Sequence, residues 1–330
     1  MVGVIGAFAA VAALAALPTL ALGGRGHSEM ARLPIGSPQS RSSTQAAAPS
    51  TRPGLPTISS SPLGYTVGFP PAGLIERVRW ADTGGGQGGQ NVASQTRMWS
   101  QQAVDEYGDL KSSRLLLRIE QTTGGGQAPG LTPFTVGGSQ AWYGGIDAPD
   151  KSYVSWKPDA GTLLTLEQHG LNMSRTELVR LAESVRSDSA TLAPVVTLGW
   201  LPGEFWVDHV GLSGNSSTSW LGEVNLASSG GQDGQGRSLA GANLHIVLGT
   251  SSTETGSGEL VTVRGRPGQL VTTAQDRPLD RVTLVVDLGG GTWLTLSAMN
   301  SPSAGISNED LLHVAETIQI IPPDLSWIRG

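Results

Sequence analysis

Apolar residues recur with a helical period in two stretches of this chain and with a period of two in several others. Residues 174–185 read SRTELVRLAESV and place Leu178, Leu181, Ala182 and Val185 along one face. That spacing predicts an amphipathic helix. Residues 307–318 read SNEDLLHVAETI and distribute Leu311, Val314, Ala315 and Ile318 in the same way. Each run opens on a serine with an acid three residues on, Ser174 with Glu177 and Ser307 with Asp310. In such a capping box, hydroxyl and carboxylate satisfy orphan amides at the helix start. Met173 and Ile306 precede the caps, placed to meet Leu178 and Leu311 as hydrophobic staples.

The alternating segments fall in the same order before each helix. TLLTL at 162–166 matches TWLTL at 292–296, and YVSW at 153–156 and VTLVV at 282–286 precede them. LLLRI at 115–119 matches LHIVL at 244–248, and Val136-Gly137-Gly138 matches Val263-Arg264-Gly265. VGFPP at 67–71 and LGWLP at 198–202 head the two series. The shift is 131 from Gly68 to Gly199, 127 from Val136 to Val263 and 133 from Leu178 to Leu311. One ordered register shared by several segments points to a duplication of two long units rather than a short-period solenoid. The expected fold class is therefore α+β. It comprises two tandem repeats, 63–190 and 191–330, each a curved antiparallel sheet ending in an amphipathic helix. The 46 glycines concentrate in loops between short strands, which fits antiparallel hairpins better than parallel crossovers.

Upstream of the repeats, residues 2–24 carry no charge and are mostly Ala, Val and Leu. They predict that 1–24 is a transmembrane or signal-anchor helix, making the plasma membrane a partner through that helix. Residues 25–62 are rich in Pro, Ser, Thr and Ala and read as a disordered stalk. The expected localisation is single-pass in the plasma membrane with the C-terminal units extracytoplasmic. The absence of cysteine excludes a lipoprotein anchor, thiol nucleophiles and thiolate metal sites. A formal charge of −6 without basic runs argues against nucleic-acid binding.

Candidate chemistry is sparse. The sequence contains no nucleophile-elbow, zinc-helix or P-loop motif. His27, His169, His209, His245 and His313 lack the spacing of a metal site, and His313 aligns with Arg180 on a solvated helix face. Asp82-Thr83-Gly84 matches the short aspartic-protease signature, but that chemistry needs a second carboxylate from the other half. The stretch 209–214 supplies none. Asp147 and Asp150 beside Pro149 read as a solvated turn. No catalytic, cofactor-binding or metal residues are assigned, and no cofactor is expected. Of nine tryptophans, Trp156, Trp200 and Trp293 have places in the repeat that core packing explains. Trp80, Trp99, Trp142, Trp206 and Trp220 have no aromatic counterpart in the other copy. These five are the candidate ligand-facing residues.

The strand pair followed by a Ser-capped L-x-x-A-E-S/T helix, at 153–185 and 282–318, resembles an extracytoplasmic domain of unknown function. That domain occurs in bacterial anti-sigma-factor-related membrane proteins. It is distantly similar to the lipoprotein-carrier and sigma-regulator fold, a curved antiparallel sheet wrapped around helices. The resemblance implies no catalytic residues, and the cytoplasmic sigma-binding segment of such proteins is missing before the apolar stretch. The expected function is a non-enzymatic, membrane-anchored envelope protein that binds or senses an envelope protein, lipid or glycan, linked to sigma-factor regulation. A lipid or lipoprotein carrier and a cell-wall carbohydrate-binding module are the alternatives.

Overall fold

The computed structural model describes residues 55–83, 93–103, 113–122, 133–145, 151–229, 241–252, 257–273, 281–299 and 305–328. Two-residue strands aside, seven strands lead to the first helix: β1 Ile75–Asp82, β2 Ser94–Ser100, β3 Arg114–Gln121, β4 Pro133–Val136, β5 Ser139–Gly145, β6 Lys151–Trp156 and β7 Thr162–His169, then α1 Arg175–Glu183. Seven more lead to the second: β8 Phe205–Ser216, β9 Ser219–Ser228, β10 Asn243–Gly249, β11 Glu259–Val263, β12 Arg266–Thr273, β13 Arg281–Gly289 and β14 Thr292–Met299, then α2 Asn308–Thr317. All fourteen form one antiparallel sheet in the order β11-β12-β13-β14-β10-β9-β8-β1-β2-β3-β7-β6-β5-β4. Reading outward from the β1–β8 seam, the two halves run through corresponding strands.

This corrects the α+β expectation. The described residues are mostly β, and the two helices among them are only nine and ten residues long. Nor does each half keep a sheet of its own. β1 and β8 are first strands with one unpaired edge each, and they satisfy those edges against one another. In that pairing Trp80 lies opposite Gly211, at the same shift of 131 that relates Gly68 to Gly199. Asp82 then meets His209 and Val78 meets Ser213, so the seam is an approximate two-fold centred on Trp80 and Gly211.

A second correction concerns the membrane. Among the described residues no helix is long and apolar enough to cross a bilayer. The described residues therefore supply no transmembrane helix and no membrane partner through one. Residues 2–24, most of the 25–62 stalk and the Asp147–Asp150 turn lie outside the described residues.

Both helices pack on the same face of the sheet. Leu178, Leu181 and Ala182 of α1 are buried with Leu115, Leu117, Val154 and Leu166, while Leu311, Val314 and Ala315 of α2 are buried with Leu244, Ile246, Leu284 and Leu296. Each of the leucine, isoleucine and valine side chains among them contributes roughly 1.5–3 kcal/mol by leaving water. Ser174 Oγ accepts from the Glu177 amide at 3.3 Å and the Ser174 amide donates to the Glu177 carboxylate at 2.8 Å. The Ser307–Asp310 box closes with 3.0 Å bonds in both directions.

The helix ends explain the glycines in VGFPP and LGWLP. A Cβ on Gly68 would stand 2.5 Å from the Ser184 carbonyl oxygen, and one on Gly199 2.6 Å from that of Thr317. The chain passes so close to each helix C-terminus that only glycine fits. Beside α2, Arg264 adopts φ 54° in the β11–β12 turn, its amide donates to Glu316 and its guanidinium to the Ile318 carbonyl. A cation there complements the negative end of the helix.

Candidate functional site

Alternation along the strands separates two chemistries at the seam. Ala81, Val210, Val224 and Ile246 enter the core beneath α2. Their neighbours Trp80, Asp82, His209, Glu223 and His245 therefore project from the opposite face, which among the described residues is helix-free. On that face Ser94 Oγ donates to Asp82 Oδ2 at 2.7 Å, and Asp82 Oδ1 lies 2.7 Å from His209 Nδ1. His209 Nε2 is 3.4 Å from Glu223 Oε1, and His245 Nε2 is 3.0 Å from Glu223 Oε2. A polar chain thus crosses β2, β1, β8, β9 and β10.

Two local features place it. Asp208 forms a bulge in β8, because the pairing with β9 slips between Val207 and His209. The Thr83 amide donates to the Asp208 carbonyl at 3.0 Å, and the Thr83 hydroxyl bonds the Val207 carbonyl. The extra residue puts Trp206 and His209 on one face although they are three apart in sequence. Gly211 supplies the space: a Cβ there would lie 2.6 Å from Glu223 Oε1 and 2.7 Å from Trp80 Cδ1. Trp80 instead meets the His209 ring edge-on, with centroids 5.9 Å apart.

Burial alone would discharge the His209 ring, but hydrogen bonds and charge from Asp82 and Glu223 outweigh it and raise its pKa to about 9. Burial likewise pushes Glu223 up, yet the two histidines draw it down to about 2. Asp82 is also held below the usual carboxylate range: bonds from His209 and Ser94 overcome its partial burial. At neutral pH the site is an imidazolium fixed between two carboxylates. Neither Glu223 nor His209 is then poised to take a proton, and Ser94 donates to a carboxylate rather than to an imidazole. The partner of Asp82 is a histidine, not the second carboxylate that an aspartic protease requires.

The helix-bearing face of the seam carries a second ionic cluster. Arg97, 3% exposed, donates Nε and Nη2 to the two oxygens of Glu76 at 2.7 and 2.8 Å. Its Nη1 bonds the Tyr65 carbonyl at 3.1 Å and the carboxylate of Asp188. Arg79 donates Nε to the same Glu76 at 2.9 Å and covers the Trp327 ring at 4.3 Å. The link between halves and the C-terminal tail are thereby tied to β1 and β2.

The five tryptophans separate. Trp99 belongs to the core under α1, and Trp220 packs against the core under α2. Trp142, 5% exposed, lies on the helix-free face at the far flank of the first half. Only Trp80 and Trp206 lie at the polar chain, both half-buried, each with a buried indole N–H that has no hydrogen-bond partner. Asp82, His209, Glu223 and His245 are not recognisable as a group in the sequence. Their one signal is polar residues at outward positions of otherwise apolar strands. No family model, curated protein or solved structure matches the chain.

Proposed function

We propose that this is a non-enzymatic, extracytoplasmic binding protein whose recognition surface is the helix-free face at the seam. The observation that carries the reading is that the site's charges are spent on one another. Asp82, His209 and Glu223 use both of their polar atoms within the network. Such a cluster fixes a shape and a charge pattern beside Trp80 and Trp206; it does not prepare a nucleophile or a base. The packing of α1 and α2 over the other face weighs against a carrier that would hold an acyl chain there. None of the five tryptophans is fully exposed, which weighs against a flat glycan-stacking module.

The test is an assay of the purified protein against ester, glycoside and peptide substrates, alongside Asp82→Asn and Glu223→Gln. No turnover is expected from any of them. A hydrolytic rate abolished by either substitution overturns the proposal. Protease shaving of intact cells tests the extracytoplasmic placement, and the Pro/Ser/Thr/Ala stretch before residue 63 motivates it. The link to sigma-factor regulation rests on the resemblance of the two helix-terminated motifs, and a neighbouring sigma or anti-sigma gene is its test.

A further inference from the structure

Among the described residues the sheet is open, and its two outer strands, β4 and β11, occupy corresponding places in the two halves. Each leads into a two-residue turn, Gly137-Gly138 and Arg264-Gly265, with positive φ at both positions. In such a hairpin the pair flanking the turn is hydrogen-bonded and the bonds then alternate. Val263 and Val261 therefore direct their backbone groups toward β12, while Leu260 and Thr262 direct theirs out of the sheet. In β4 the outward residues are Pro133 and Thr135. The shift of 127 that relates Val136 to Val263 also relates Pro133 to Leu260. One edge thus carries a residue with no amide at an outward position, a common way of blunting a free strand. The other carries leucine, 85% exposed and the most exposed large hydrophobic side chain among the described residues.

We propose that β11 pairs antiparallel with β11 of a second copy of this chain. The strand, Glu-Leu-Val-Thr-Val, holds neither proline nor lysine, and it complements itself in one register. Placing Val261 opposite Val261 of the partner subunit sets Leu260 against Thr262 and Glu259 against Val263. The two Glu259 carboxylates stay apart, and the outward amides and carbonyls of Leu260 and Thr262 meet in hydrogen-bonded pairs. The chain closes the inner edges of its own halves in the same manner, with Trp80 opposite Gly211. Five residues of edge bury less than the roughly 1,000 Å² of a stable interface, so the association is weak and concentration-dependent.

Sedimentation over a range of concentrations, reaching millimolar, reads it directly. The mass is expected to rise toward twice 34.1 kDa for the wild-type chain and to stay monomeric for Leu260→Pro. Proline stands at the corresponding position of β4, so that variant keeps its circular dichroism and melting temperature; Leu260→Lys supplies a second monomeric variant. Because the chain has no cysteine, Val261→Cys introduces a lone thiol. In the proposed register its Cα lies ~4.5 Å from its mate, within disulfide reach, and it oxidises to a covalent dimer faster than Thr262→Cys. A wild-type chain that stays monomeric throughout overturns the proposal. So does undiminished dimerisation of Leu260→Pro, or equal oxidation of the two cysteine variants. An added extended peptide that binds β11 while the chain does not self-associate also overturns it, giving the edge to a different occupant.

Discussion

His209 and Asp82 face each other across the seam at 2.7 Å, Nδ1 to Oδ1, so the first strand of each half contributes one partner to a single ion pair. With Glu223 on its other nitrogen, His209 titrates near 9 rather than near 6.5. A raised folded-state pKa contributes stability that is fully present below 6.5 and is lost as pH climbs through 9. The depressed Glu223 acts in the opposite sense: its contribution is present above 4.5 and lost as pH falls toward 2. Stability from this network is therefore greatest between about 4.5 and 6.5, and about 1–3 kcal/mol of it disappears by pH 9. Chemical denaturation at pH 6 and pH 9 measures the loss, and His209→Gln is expected to flatten the difference. An NMR titration placing the His209 midpoint at or below 6.5 contradicts this account.

Glu76 accepts from both Arg79 and Arg97 on the buried side of the seam. Glu76→Ala leaves the Arg97 guanidinium nearly enclosed with one of its two carboxylates gone. The expected loss is about 3–5 kcal/mol, read from urea midpoints. A loss under 1 kcal/mol contradicts the account of a buried clamp.

Gly68→Ala and Gly199→Ala each drive a methyl into a helix-terminal carbonyl. Each is expected to cost about 1–3 kcal/mol through overpacking. Gly203→Ala, where a Cβ meets nothing within 4 Å, is the matched control and should change little. Equal melting temperatures for all three remove the steric explanation.

Continuity of the sheet through β1 and β8 predicts that the halves unfold together. Leu178→Ala and Leu311→Ala each remove a fully buried side chain from a different half, at about 2–5 kcal/mol apiece. Calorimetry should show one transition that moves down as a whole in either variant. Two resolved transitions, with only one displaced, contradict the coupling.

What was legible in the sequence is what is local. Helical spacing, the Ser174 and Ser307 caps and the glycine turns at Gly137-Gly138 and Arg264-Gly265 act within a few residues, so their patterns survive in one dimension. The helices stand out because their periodicity is sharp, whereas the fourteen sheet strands, separated by glycine-rich loops, signal weakly one at a time. The seam pairs residues about 130 positions apart, and nothing near Trp80 announces Gly211. The polar chain was hidden twice over: it needs that pairing, and it needs the Asp208 bulge to bring Trp206 and His209 to one face. Unmatched tryptophans were a fair guide to only part of the site, since Trp99 and Trp220 fill cores peculiar to their own halves.

The approximate two-fold at Trp80 and Gly211 has a consequence for ancestry. A single unit expressed alone would expose its first strand along the very line where the other unit now lies, and two such units would meet there as equals. The present chain has the form of a symmetric dimer whose subunits became one polypeptide. Joined in one polypeptide, the two sides of the contact are free to differ: one places a bulky indole at the axis, and the other a glycine that leaves room for it.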